Sequence, residues 1–203
     1  MNQVSQVSQV SQVSQETLAL LLRRRSVKAA MLGEPGPSPQ QLETILTVAA
    51  RVPDHKKLEP WRFIVFEGDA RALFGRVLLK ACLAEDKDTP SAARLETERT
   101  RFLRAPTVIA VISCVTANPA APEWEQVLSC GAACFNLCLA ANALGFATSW
   151  ITEWYSYSPA VRAALRLAGN ERMAGFVYIG TAKETQPDRD RPQLARIVSR
   201  WTS

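Results

Sequence analysis

The sequence predicts an α+β domain in which a central mixed β-sheet is flanked by helices. Three observations carry this. Segments with helical spacing of apolar residues alternate with short β-rich runs from Glu16 to Gly180. One run, Pro106 to Val115, is continuous enough to be a central strand covered on both faces. No GxGxxG or GxxxxGK[ST] loop is present, which disfavours the Rossmann and P-loop arrangements.

Residues 1–15 contain Val-Ser-Gln four times in succession, low-complexity sequence with no means of burying a core. They are expected to form a disordered tail, into which the first helix could extend, and residues 16–203 to form one domain. Leu18, Leu20, Leu21 and Leu22 mark a short helix ending at Arg23-Arg24-Arg25. After the Gly33–Pro37 loop, Ser38 serves as N-cap with Pro39 at N1. Leu42, Ile45, Leu46 and Ala49 share one face of the helix that follows, which ends before Pro53. Trp61–Phe66 reads as a strand, Asp69 as the cap of a helix to about Ala84, and Ser91–Leu103 as a charged amphipathic helix. The longest helix spans Pro122–Leu144, is apolar or small through its second half, and is stopped by Gly145. A strand at Phe146–Ile151, a helix opened by Ser158-Pro159, a strand at Met173–Gly180 and a Pro/Arg/Asp-rich tail complete the order.

A chain of 203 residues suits one sizeable core rather than two. Its net charge of +5 fits an anionic cofactor or substrate, and a basic balance alone also fits nucleic acid or a membrane surface. The basic residues are scattered and lack interleaved aromatics, which disfavours nucleic acid. No uninterrupted apolar run reaches membrane-spanning length; Val127–Ala143 comes nearest, but Ser129, Asn136 and Asn142 interrupt it. Five cysteines without paired CxxC spacing, and an N-terminus with no apolar signal core, point to reduced thiols in the cytoplasm. Cys130, Cys134 and Cys138 repeat every four residues, a spacing read as core packing rather than a metal site.

Two clusters carry candidate chemistry. Arg24, Arg25 and Ser26 combine planar guanidinium donors with a hydroxyl, the donor set that suits a phosphate monoester. Taken alone, the arginines also suit a solvated helix end that complements the dipole. The loop Pro53-Asp54-His55 holds the only histidine and runs into Pro60-Trp61-Arg62-Phe63. Alone, His55 is equally a hydrogen-bonding loop residue and a functional one. Trp61 reads as packing.

In this order the motifs resemble the FMN-dependent nitroreductase family, and most closely its short single-domain members with a Pro-Asp-His loop before Pro-Trp. The likeness covers roughly Glu16 to Arg191. It implies a nitroreductase-like fold forming an intertwined homodimer. It further implies that Arg24, Arg25 and Ser26 hold the FMN phosphate, and that Arg51 and His55 approach the flavin bound mainly by the other subunit. The Trp150-Ile151-Thr152 segment matches the place where family members set backbone N–H groups near the flavin N5. The closest relatives carry Trp-Arg-Ser there, so Ile151 departs from the pattern while Thr152 keeps the hydroxyl. Arg191, with Arg189 as the alternative, matches a basic residue of the C-terminal Arg-Pro segment that completes the phosphate site.

The implied chemistry is transfer of hydride from NAD(P)H as co-substrate through FMN to a nitroaromatic, quinone or similar small electron-poor acceptor, by a ping-pong mechanism. Lys56, Lys57 and Arg62 lie within sequence reach of the reduced flavin's charge. The alternative is a flavin-binding dimer with little turnover, for which Ile151 is the best support.

Overall fold

A computed structural model describes residues 13–202. The tail expected over 1–15 lies outside the described residues as far as residue 12; Gln15 already belongs to a helix capped by Ser14. The elements are α1 (Gln15–Arg23), β1 (Leu32–Gly33), α2 (Pro39–Ala49), β2 (Trp61–Phe66), α3 (Asp69–Glu85), α4 (Ala92–Thr100), β3 (Thr107–Cys114), α5 (Glu123–Ala143), β4 (Ala147–Ile151), α6 (Pro159–Ala164), β5 (Glu171–Ala182) and α7 (Leu194–Ile197).

β5 is the hub of the sheet. β3 pairs along it from Thr107 opposite Ile179 to Cys114 opposite Glu171, and β2 flanks β3. On β5 also lie β4, from Ala147 opposite Gly180 to Ile151 opposite Phe176, and β1, opposite Ala182 and Thr181. Every pairing between these strands is antiparallel; the parallel contribution is an isolated bridge between Ser26 and Thr148. The named strands thus form an antiparallel sheet where a mixed one was expected.

Side-chain alternation explains why the β3 run is apolar throughout. Val108, Ala110 and Ile112 enter one core with Phe66, Phe74, Phe102, Tyr155, Phe176 and Tyr178, beneath α3 and α6. Ile109 and Val111 enter the other with Ile45 and Ala49 of α2 and with Cys130, Cys134, Leu137 and Cys138 of α5. The cysteines act there as small apolar groups.

Helix ends follow local chemistry, with two corrections. Ser38 and Gln41 form a reciprocal capping box ahead of α2. Gly68, at φ 51°, occupies the N-cap of α3, and Asp69 is its first residue, where its charge complements the dipole. The charged helix from Ser91 stops at Thr100 and tightens into a 3-10 turn over Arg101–Arg104. That turn buries Phe102 completely and lets Arg101 fold back onto Glu98, itself fully buried. α7 arises within the Pro/Arg/Asp-rich tail.

α5 departs from a helix buried on most sides. Its length and composition would suffice to cross a membrane, yet only half of its most apolar window is buried in the domain. Trp124, Val127, Leu128 and Phe135 remain exposed on it.

Candidate functional site

The chain leaves α1 at Arg24, whose N–H still bonds Leu20 O at 2.9 Å, and straightens beside β4. Ser26 bridges Thr148, and Val27 N donates to Thr148 O at 2.9 Å. The Arg24 guanidinium lies 5.8 Å from the centre of the Phe135 ring on α5. Beneath it, burial pushes the Cys138 thiol up to about 11, against a hydrogen bond from Thr148 and the Arg24 charge.

Arg25 turns the other way. Its Nη1 donates to Pro187 O and approaches Asp188 Oδ1 at 3.4 Å; Arg191 Nη2 donates to the same oxygen at 2.8 Å. The backbone N–H of Arg189, then the Arg191 and Arg25 guanidiniums, hold the Asp188 carboxyl below its ordinary range. Arg25 and Arg191 thus meet at Asp188, and Ser26 lies against β4, while the Arg24 side chain points away from them to α5. Arg189 enters through its backbone, 2.9 Å from Asp188 Oδ1.

The second group is hung from α5. Asn136 Nδ2 donates to Val48 O and Arg51 O at 3.2 and 3.0 Å, and Ser129 Oγ donates to Pro53 O at 2.5 Å. Asp54 accepts from Leu58 N and Glu59 N at 3.0 and 2.8 Å. This bracing accompanies left-handed backbone at three non-glycine residues, Lys56, Lys57 and Glu59 (φ 68°, 54° and 49°). His55 emerges half-exposed with Nδ1 2.7 Å from Glu125 Oε2. Pro53, His55, Glu125, Leu128, Ser129 and Ala132 line an open cavity of about 320 Å³. Among the described residues no hydrogen bond or ion pair joins this group to the arginine group; α5 spans both.

β4 sorts its side chains by face. Thr148 points to Cys138 of α5, whereas Ile151 packs against the aromatic core on the other side of the sheet. Ile151, the expected departure from the family pattern, thus faces away from the α5 side. Trp150 Nε1 donates to Ala174 O at 3.2 Å, beside the β5 irregularity where Val111 and Ile112 change register. Gly175 (φ 149°) is required there, since a Cβ would lie 2.4 Å from Trp150 Nε1. Thr152 is exposed and lies beyond the last paired residue of β4.

Arg62 is committed elsewhere: its Nε and Nη2 donate to Glu171 Oε1 and Oε2 at 2.6 and 2.9 Å. Lys56 and Lys57 keep exposed side chains. Asp188, Glu125 and Phe135 were not legible from sequence as site residues. Ser129 and Asn136 carried a signal, as polar interruptions of an apolar helix, and each proves to anchor a loop carbonyl.

An α+β fold with two arginines meeting on one carboxylate, a braced histidine loop and one long half-buried helix can be compared with known families. The Nitroreductase family model matches residues 21–181, and the chain belongs to the nitroreductase family, whose members are oxidoreductases. The chain is 37% identical over 166 residues to the "Putative NAD(P)H nitroreductase YdjA" of Escherichia coli (strain K12), covering 82% of this chain and 88% of that protein. It is 38% identical over 170 residues to the "Putative NAD(P)H nitroreductase" of Haemophilus influenzae, covering 83% and 90%. The fold is shared with a nitroreductase-like family protein from Bacillus cereus (TM-score 0.78, 22% identity, 93% of this chain and 97% of that one). It is also shared with a nitroreductase from Desulfovibrio desulfuricans solved in complex with FMN (TM-score 0.70, 20% identity, 94% and 99%).

Proposed function

We propose that this protein binds FMN and uses NAD(P)H to reduce electron-poor acceptors such as nitroaromatics or quinones. The observation that carries the reading is the convergence of Arg25 and Arg191 on one carboxylate oxygen of Asp188. A site that already gathers two guanidiniums around an oxyanion has the donor set for a terminal phosphate, to which Arg24 and the Ser26 hydroxyl, on either side of Arg25 in the chain, would add theirs. The residues present therefore fit FMN. When bound, FMN supplies hydride acceptance at N5 from the nicotinamide and hydride donation to the acceptor, in two half-reactions on one face.

The chain's own contribution is positioning. Arg24, Arg25, Ser26 and Arg191 hold the phosphate. The Trp150–Thr152 segment seats the ring edge through its backbone and the Thr152 hydroxyl, because the Trp150 indole is tied to Ala174 O and the Ile151 side chain packs, half-buried, on the opposite face. Arg51 and His55 face the flavin of a second copy. Exposed apolar side chains on α1 (Leu18, Leu21, Leu22) and α5 (Trp124, Val127, Leu128, Phe135) support such a homodimer. The free cysteines suit the reducing cytoplasm.

Purified protein should be yellow, release FMN on denaturation as identified by chromatography, and bleach on addition of NADH or NADPH. Recovery of FAD, or no flavin after reconstitution, would overturn the assignment. Yellow protein that does not bleach would instead be the flavin-binding dimer without turnover.

A further inference from the structure

Glu153, next to Thr152 in the chain, joins a group of buried and partly buried charges that the proposed phosphate site does not use. Glu98 on α4 has no exposed surface and accepts from Arg101 Nε and Nη2, both at 2.5 Å. The remaining arm of Arg101, Nη1, reaches Glu153 Oε2 at 2.9 Å. Arg104, from the same 3-10 turn, donates Nη2 to that oxygen at 2.7 Å and Nη1 to Glu153 Oε1 at 3.2 Å. The Arg104 guanidinium also lies 4.7 Å from the centre of the Tyr178 ring, and Tyr178 shares a 2.9 Å hydrogen bond with Tyr155. Arg94 closes the group on its far side, with Nε 3.2 Å from Glu98 Oε1 and 4.0 Å from Asp86.

Burying charges in this way is poor value as stabilisation, because apolar residues of similar volume usually do as well. Two guanidiniums on one carboxylate do fix geometry. Burial would raise the Glu153 carboxyl, but hydrogen bonds from Arg104 and Tyr155 and the two arginine charges hold it below its ordinary value, so it stays ionised near neutral pH.

The need for a fixed point is plain from the backbone. Sheet pairing ends at Ile151, and the next regular structure is the 3-10 turn Trp154–Ser156, in which Ser156 N bonds Glu153 O at 2.9 Å. Between them only the Glu153 side chain ties the chain to the body of the domain by ion pairs.

We infer that Glu153, clamped by Arg101 and Arg104, is a positioning residue that sets how Trp150–Thr152 meets the isoalloxazine ring. This rests on the FMN reading, and it separates the molecule into a phosphate end, held by the Arg24 cluster, and a ring end, held in place through Glu153.

Riboflavin, which lacks the phosphate, distinguishes the two ends. Dissociation constants for FMN and riboflavin are measured on stripped full-length protein by flavin fluorescence. Glu153→Gln should weaken both by the same factor, roughly tenfold, the scale of one charge-assisted bond, leaving the FMN-to-riboflavin ratio unchanged. Arg24→Ala should weaken FMN alone and collapse that ratio. Should Glu153→Gln fail to fold, Arg104→Gln, which leaves Arg101 on Glu153, carries the same expectation. A folded variant that binds riboflavin as tightly as the wild type overturns the inference while the FMN reading stands. Wild-type protein that binds neither flavin overturns both.

Discussion

His55 Nδ1 and Glu125 Oε2 stand 2.7 Å apart, joining a strained loop to the first turn of the longest helix. The contact orients an imidazole that is half-exposed beside an open cavity. Orientation is a smaller task than proton delivery, and magnitude separates them. His55→Ala should lower FMN affinity, or turnover by about tenfold at most, while NAD(P)H still reduces bound flavin; Glu125→Gln should act in the same direction. General acid help is worth roughly 10²–10⁴-fold. A loss of three orders of magnitude in the oxidative half-reaction, with flavin occupancy intact, would make His55 a proton donor instead.

The arginine group answers to two substitutions of opposite sign. Arg24→Ala removes charge-assisted phosphate bonds of roughly 1.5–3 kcal/mol each and should weaken FMN binding by an order of magnitude or more. Asp188→Asn removes the carboxylate that occupies Arg25 and Arg191, and FMN affinity should rise severalfold. Equilibrium titration of stripped protein measures both.

Leu128 is 52% exposed and Trp124 68% exposed on α5. Leu128→Glu puts a charge into that apolar face and should convert a dimer at low micromolar protein into folded monomers, as followed by sedimentation velocity. A wild-type monomer loaded with flavin would contradict the proposed assembly outright.

The Arg62–Glu171 pair predicts an acid limb of stability. Arg62, then the Ala168 N–H and the Cys114 thiol, work against burial to lower the Glu171 carboxyl to about 2. A depressed carboxylate contributes stability that is complete above its unfolded value, about 4.3, and is lost as pH falls through the folded one. Chemical unfolding between pH 5 and about 2 should therefore show declining stability to which Glu171 contributes. Glu171→Gln should remove that share of the slope and cost roughly 1.5–3 kcal/mol at neutral pH. An unchanged slope would mean that the pair is not formed in solution.

What was legible in the sequence was whatever local chemistry dictates. Ser38-Pro39, Gly145 and the unbroken β3 run fixed ends and burial because caps, stops and two-sided coverage act over a few residues. Gly68 displaced Asp69 from the cap because the chain enters α3 at positive φ, which no propensity reveals. The Arg101–Arg104 turn was missed because its cause, Glu153, lies far along the chain. The arginine cluster and the histidine loop were visible as residue types in order. Their partners were not: nothing local couples Arg25 to Asp188, or His55 to Glu125. Arg62 lay within sequence reach of the flavin's charge without being assigned to it, and its bond to Glu171 takes up its guanidinium.

α5 also imposes a phase constraint on the chain. At about 100° per residue, Glu125, Ser129 and Asn136 fall within about 40° of one another, and all three serve the Val48–His55 loop. Cys130, Cys134 and Cys138 occupy the opposite side and fill the core. Deleting one residue between Ser129 and Asn136 would rotate the two ends by about 100°, drawing Asn136 off its carbonyls and turning Cys134 or Cys138 out of the core. Substitutions along this helix are negotiable one at a time. Its length is not: only steps of about seven residues, close to two turns, keep the two rows in phase, and even these shift Asn136 about 10 Å along the axis from its carbonyls.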